Sequence, residues 1–231
     1  MGTFADVLVV TAHPDDAEFG AAGAVARWTR QGRRVAYVVC TSGEKGTSDR
    51  RADPGRFAAI REREQRAAAE TLGVGEVVFL RYPDQGLEDT PAFRKEIVRQ
   101  IRRFRPEVVV TSDPYRRYIW HRDHRVLGQV VLDAVFPYAR DHLAYPDLLE
   151  EGWEPHKVRE VWFWAAEDPN HRVDITETFA TKVAALACHE TQMREMNLPD
   201  PGALLRGWAE KAAEGTPYAL AEAFYRVVAP G

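Results

Sequence analysis

Short apolar runs alternate with stretches of helical spacing through the first half of the chain. Val7–Thr11, Val35–Thr41, Val77–Leu80 and Val108–Thr111 read as strands, each a nearly continuous aliphatic run. Residues 17–31, 57–72 and 91–104 carry helical patterns between them. The first two stop at Gly32 and Gly73, where glycine suits the left-handed position past a helix end. The third opens at Pro91, which the first helical turn tolerates. Strands alternating with helices predict βαβ units around a parallel sheet. Runs without strict in-out alternation are those of strands covered on both faces.

Beyond residue 124 the pattern loosens. A helix is expected over 123–135, and Pro137, Pro146 and Pro155 punctuate a long connection. Val158–Ala165 reads as a further strand, and helices over 176–192, 202–214 and 217–226 are expected to close the chain. The expected fold is α/β, a three-layer sandwich around a mostly parallel sheet with a helical C-terminal extension. Residues 1–231 form one domain at this length.

Composition narrows the classes. Apolar residues make up 45% of the chain, enough for a substantial core, and the formal charge is −4 with mixed signs. There is no global basic field to recruit nucleic acid. Cys40 and Cys188 are too few for a disulfide framework. The N-terminus lacks a charged segment followed by a long apolar one, and no apolar stretch approaches the ~18 residues that span a bilayer. A cytoplasmic protein without membrane insertion is the expectation.

The candidate chemistry follows two strands. Ala12-His13-Pro14-Asp15-Asp16 comes directly after the first, and His121-Arg122-Asp123-His124 lies some ten residues past the fourth. A buried strand end is a costly place for charge unless a metal or substrate uses it. If strands one to three wind outward and strand four returns beside strand one, both clusters flank the crevice where ligands of open α/β sheets bind. Catalytic zinc commonly takes three protein ligands and a water. His13, Asp16 and one of His121 or His124 supply two imidazoles and a carboxylate, a set that also suits iron(II). Asp15 is then placed to accept the water's proton, and the second histidine to serve a leaving group or oxyanion. Asp123 is expected to hold that second imidazole in one tautomer. The reaction class is metal-assisted hydrolysis of a carbonyl compound. The alternative for Pro14-Asp15-Asp16 is plain turn and capping chemistry, which leaves His13 unexplained.

At these residues the chain resembles the PIG-L/LmbE family of zinc-dependent N-acetylglucosaminyl deacetylases. The resemblance rests on Ala12-His13-Pro14-Asp15-Asp16, Ser42-Gly43-Glu44, Arg61-x-x-Glu64 leading into Leu72-Gly73-Val74, His121-x-Asp-His124 and His189-x-Thr191-Gln192. It implies a Rossmann-like fold, zinc on His13, Asp16 and His124, Asp15 as general base, and His121 as the cationic or acidic partner. It also implies a small-molecule substrate carrying N-acetylglucosamine. The chain departs from the pattern at Arg122, where proline is common, and at Ile119, where some members carry an oxyanion-stabilising tyrosine. Tyr115 and Tyr118 are the nearby replacements.

Glu44 sits in a loop at the sheet's carboxyl edge, where binding groups gather, and is expected to contact substrate. Arg61 lies in a charge-rich helix; pairing with neighbouring glutamates is the bland alternative, and the resemblance favours substrate contact. His189 and Gln192 are expected to make structural hydrogen bonds. The Trp162-Phe163-Trp164 run is expected in the core or at a subunit contact of a homo-oligomer. Two other functions fit an α/β chain of this kind. An oxidoreductase binding a nucleotide cofactor would need a glycine fingerprint, and His13-Pro14 stands in its place. A non-catalytic sugar-binding protein would have no need of both Asp15 and His121.

Overall fold

The computed structural model describes residues 4–197 and 200–230. Its centre is a seven-stranded sheet of β1 (Val7–Thr11), β2 (Val35–Thr41), β3 (Glu76–Tyr82), β4 (Val108–Ser112), β5 (Glu160–Trp164), β6 (His171–Asp174) and β7 (Ala221–Val228). The spatial order is β3-β2-β1-β4-β5-β7-β6. The first five strands run parallel; β7 is antiparallel to both β5 and β6. Strand order therefore reverses between β1 and β4, as the sequence predicted.

Helices α1 (Asp16–Gly20), α2 (Ala22–Arg30), α3 (Pro54–Leu72), α4 (Pro91–Phe104), α5 (Arg122–Val135), α6 (Asp147–Glu150), α7 (Phe179–Ala187), α8 (Glu190–Glu195) and α9 (Pro201–Ala213) cover the sheet, with one 3-10 turn at Tyr138–Arg140. Two cores result. Val7 and Val9 of β1 face one with α2, α3, α7 and α9, whereas Leu8 and Val10 face the other with α4 and α5. Every residue of β1, β2 and β4 is buried, which explains their unbroken aliphatic runs.

The C-terminal region differs from expectation. Residues 217–226 were expected to be a helix, but Ala221–Val228 forms the strand β7 inside the sheet. Ala, Leu and Glu favour helix locally, and pairing between β5 and β6 overrides that weak preference. The single helix expected over 176–192 is two, α7 and α8, meeting at Cys188 and His189. The helix expected over 17–31 is also two, α1 and α2. Trp162, Phe163 and Trp164 are all buried within the chain, the core placement of the two expected. No helix among the described residues is long and apolar enough to cross a membrane.

Candidate active site and metal centre

The site forms at the carboxyl edge, across β1 and β4. Directly after β1 the chain turns into α1, and Asp16 folds back on the turn. Its Oδ2 accepts from the backbone N–H groups of Ala12 (3.1 Å) and His13 (2.8 Å), which fixes the carboxylate. On the other side, α5 carries His124 to the crevice. Gly128 lets this helix close on the end of β4, since a Cβ there would stand 2.6 Å from the Ser112 carbonyl oxygen. Ser112 Oγ donates to the His124 carbonyl at 3.0 Å and ties the two elements together.

Ligand atoms of three residues converge, with Asp16 turning a different oxygen to each imidazole. His124 Nε2 lies 3.0 Å from Asp16 Oδ1 and 3.3 Å from His13 Nδ1, and His13 Nδ1 lies 3.6 Å from Asp16 Oδ2. With metal–nitrogen distances of about 2.0–2.1 Å, donors of a tetrahedral site stand about 3.3–3.4 Å apart. The triangle therefore fits a small divalent cation. His121 adds a further nitrogen: the ligand atoms of His13, His121 and His124 lie within 4.8 Å of one another. Asp16 supplies what His121 does not, a held negative charge. Arg122 stays clear of this point, donating to the Leu87 carbonyl.

The far side of His13 meets two carboxylates. Its Nε2 is 3.1 Å from Asp84 Oδ1 and 3.4 Å from Asp123 Oδ2. Such partners fix which nitrogen faces a metal and raise its basicity. Asp123 thus supports His13, where the sequence suggested the second imidazole of its own motif. Burial opposes charge on His13, but Asp123, Asp16 and Asp84 outweigh it and raise its pKa well above the usual imidazole value. Burial works against ionised Asp84 as well, yet the His13 ring above all holds it down to about 2. Asp16 is likewise held well below the usual range: burial opposes its charge, and His124 and His13 prevail. Asp123→Asn is expected to weaken metal affinity about 10–100-fold, the usual cost of losing such an outer partner. Competition titration against a fluorescent chelator measures it, and unchanged affinity would remove the assignment.

His121 occupies the N-cap of α5, where its Nδ1 accepts from the Asp123 backbone N–H at 3.2 Å. A neutral ring so placed carries its proton on Nε2. Burial, followed by the neighbouring imidazoles of His13 and His124, lowers its pKa. Of the two roles expected of His121, cationic or acidic, this placement suits donation from a neutral imidazole. Tyr115, Tyr118 and Ile119 are strongly exposed.

Asp15 is buried, with φ of 89°. This left-handed backbone is uncommon outside glycine and needs enforcement. Gln65 Oε1 accepts from the Asp15 N–H at 3.0 Å. Arg61 donates to the Pro14 carbonyl at 2.6 Å, to Asp15 Oδ2 at 3.2 Å and to the Gly43 carbonyl at 2.9 Å. A Cβ at Gly43 would come within 1.9 Å of the Arg61 guanidinium, and φ there is +62°. The glycine of the Ser42-Gly43-Glu44 motif is thus room for an arginine. Arg61 is 3% exposed, and these three bonds make it a brace for the Asp15 turn. Glu44 is also engaged internally, accepting from the Asp84 N–H at 2.8 Å. Burial pushes the Asp15 carboxyl up to about 6, partly offset by Arg61. That lies close to where a general base operates.

Asp84 escaped the sequence reading. Its signal was Pro83-Asp84 directly after β3, a carboxylate at the same sheet edge as His13. Gln65 was missed too; its Nε2 donates to Glu18 Oε1 at 3.0 Å. Glu18 Oε2 lies 3.2 Å from Nε2 of His189, both side chains fully buried. Gln192 Nε2 donates to the Gly46 carbonyl at 2.8 Å. Burial opposes charge on His189, but Glu18 outweighs it and the pKa is raised. A raised histidine stabilises the fold fully below its unfolded pKa of about 6.5, and that contribution fades as pH climbs through the folded value. His189→Ala is expected to cost roughly 3–5 kcal/mol at pH 6, the penalty for stranding one buried charge. Urea denaturation should show a smaller penalty at pH 9; an equal one at both pH values would refute the charged pair.

Fold and donor set together define a class: an open-sheet α/β protein with a His/Asp candidate metal centre at the switch point of its sheet. Comparison with known proteins sharpens this. Residues 8–135 match the PIG-L family, described as GlcNAc-PI de-N-acetylase, and the chain belongs to that family. It is 35% identical over 189 residues to diacetylchitobiose deacetylase of Thermococcus kodakarensis, covering 82% of this chain and 70% of that one. It is 32% identical over 200 residues to the probable N-acetyl-alpha-D-glucosaminyl L-malate deacetylase 2 of Bacillus anthracis, covering 80% of each. The solved N,N'-diacetylchitobiose deacetylase of Pyrococcus horikoshii superposes with a TM-score of 0.91 at 28% identity, covering 97% of this chain and 84% of that one.

Proposed function

We propose that this chain is a metal-dependent amide hydrolase that removes the N-acetyl group from a conjugate of N-acetylglucosamine. The observation that carries the reading is the convergence of His13, Asp16 and His124 on one point, with buried Asp15 next in sequence. Zinc suits this ligand set, and iron(II) fits it as well. A cation held there supplies Lewis acidity for the carbonyl and lowers the pKa of water.

The protein's own groups do the rest. Asp15 takes the proton from the attacking water and returns it to the departing amine, so that amide plus water gives acetate and a free amino sugar. Arg61 and Gln65 hold Asp15 in its left-handed geometry. His121 donates from Nε2 toward the developing oxyanion or the leaving nitrogen. With Tyr115 and Tyr118 exposed, this donor stands in for the tyrosine absent at Ile119. Asp84 and Asp123 orient His13. A cytoplasmic setting and a homo-oligomer belong to the same reading.

The test is acetate release from a panel of N-acetylglucosamine conjugates. Activity is expected to vanish with chelator and return with zinc. A metal-loaded protein that releases no acetate from any conjugate would overturn the proposal in favour of a non-catalytic sugar-binding role.

A further inference from the structure

A cavity of about 560 Å³ opens from Asp16 and His124 and runs away from β1 toward the C-terminal elements. Its walls are Phe19 of α1, Trp164 of β5, Ile175, Leu205 and Trp208 of α9, and Ala221 of β7. The volume is that of a small-molecule site, and it shares two residues with the ligand triangle. Any substrate whose amide reaches that triangle has this space beside it.

Two of the charges in its lining, Lys182 and Glu222, are committed to each other. Lys182 donates to Glu222 Oε1 at 2.6 Å and to the Phe19 carbonyl at 2.8 Å. Glu222 also accepts from the backbone N–H groups of Gly23 (2.9 Å) and Ala24 (2.8 Å) at the start of α2. Arg116 lies over the Trp120 ring at 4.5 Å, and Trp120 stands edge-on to His124 at 4.6 Å. A polyol set against the Phe19, Trp164, Leu205 and Trp208 walls would give up water for few new partners, which is costly. An apolar ring face would find Trp164, Leu205 and the half-exposed Trp208, whose ring lies 6.2 Å from that of Phe19.

Building on the deacetylase reading, we propose that this cavity is the aglycone subsite and that the group attached to the amino sugar presents an apolar, aromatic-sized face. Trp208 is the specificity-determining side chain at its edge. It stands on α9, outside the His13, Asp16 and His124 set, so its replacement tests recognition of the attached group.

The experiment compares kcat/KM for acetate release from the methyl and phenyl glycosides of N-acetylglucosamine, matched in anomeric configuration. The phenyl glycoside is expected to be better by about tenfold or more, the scale of filling an apolar pocket. Trp208→Ala should bring the phenyl-to-methyl ratio close to one, and Trp208→Phe should restore most of it. Equal rates on the two glycosides, or a ratio unmoved in Trp208→Ala, would overturn the proposal. Calorimetric titration of the metal-loaded protein with the two deacetylated glycosides reads the cavity without catalysis. Tighter phenyl binding with a more negative heat-capacity change supports the subsite even if no acetate is released, in which case only the deacetylase reading falls. Equal affinities would overturn the subsite even in an active enzyme.

Discussion

Asp15→Asn is expected to bind its metal normally and to lose about 10²–10⁴-fold in kcat, the range that a positioned general base contributes. Asparagine is the informative replacement. It keeps the size of the side chain and tolerates the left-handed backbone that Asp15 adopts at φ 89°. The Gln65 contact to the residue 15 N–H is a backbone interaction and survives the change. What disappears is the carboxylate proposed to accept the water's proton. Steady-state acetate release, paired with metal analysis of the same sample, separates the base from the ligands. A variant retaining more than about a tenth of wild-type kcat would sink the assignment, because one proton acceptor accounts for at least that much.

The second large effect concerns the cation itself. Asp16 has two duties: Oδ2 receives the Ala12 and His13 N–H groups, and Oδ1 faces His124. In Asp16→Asn the amide oxygen can keep the first duty while the NH₂ turns to the imidazoles. The fold is expected to survive and the held negative charge to go. Metal affinity should fall by more than the about 10–100-fold expected of an outer partner such as Asp123, and acetate release should drop to background. Metal content after dialysis, together with a thermal melt, measures both. Full zinc occupancy after dialysis would exclude Asp16 from the ligand set and leave His121 as the third donor.

The sequence revealed most where chemistry and topology coincide. His13, Asp15 and Asp16 stand out because charge at the end of an aliphatic strand has to be explained. Their meeting with the 121–124 cluster followed from the reversal of strand order alone, and β1 does lie between β2 and β4. Asp84 stayed hidden because β3 lies two strands from β1, and only the three-dimensional path of the following turn brings its carboxylate to His13. The bracing role of Arg61 was illegible for a related reason. A helix rich in arginine and glutamate does not say which arginine points inward, and burial decides between solvated pairing and a brace. For β7, local preference and tertiary pairing pull in opposite directions. Glu222 looks like a surface helical residue in sequence, but it is buried against Lys182 and the start of α2.

That last contact bears on the order in which the enzyme is made. The N-terminal end of α2 emerges early in synthesis, yet its backbone donors at Gly23 and Ala24 wait for a carboxylate nearly two hundred residues downstream. Closure over so long a stretch comes late, because the entropy of bringing distant segments together must be met before their contacts form. A nascent chain still missing its last strand would already contain His13, Asp16 and His124. It would lack Ala221 and Glu222, so the cavity beside Asp16 and His124 is closed only once the last strand joins the sheet.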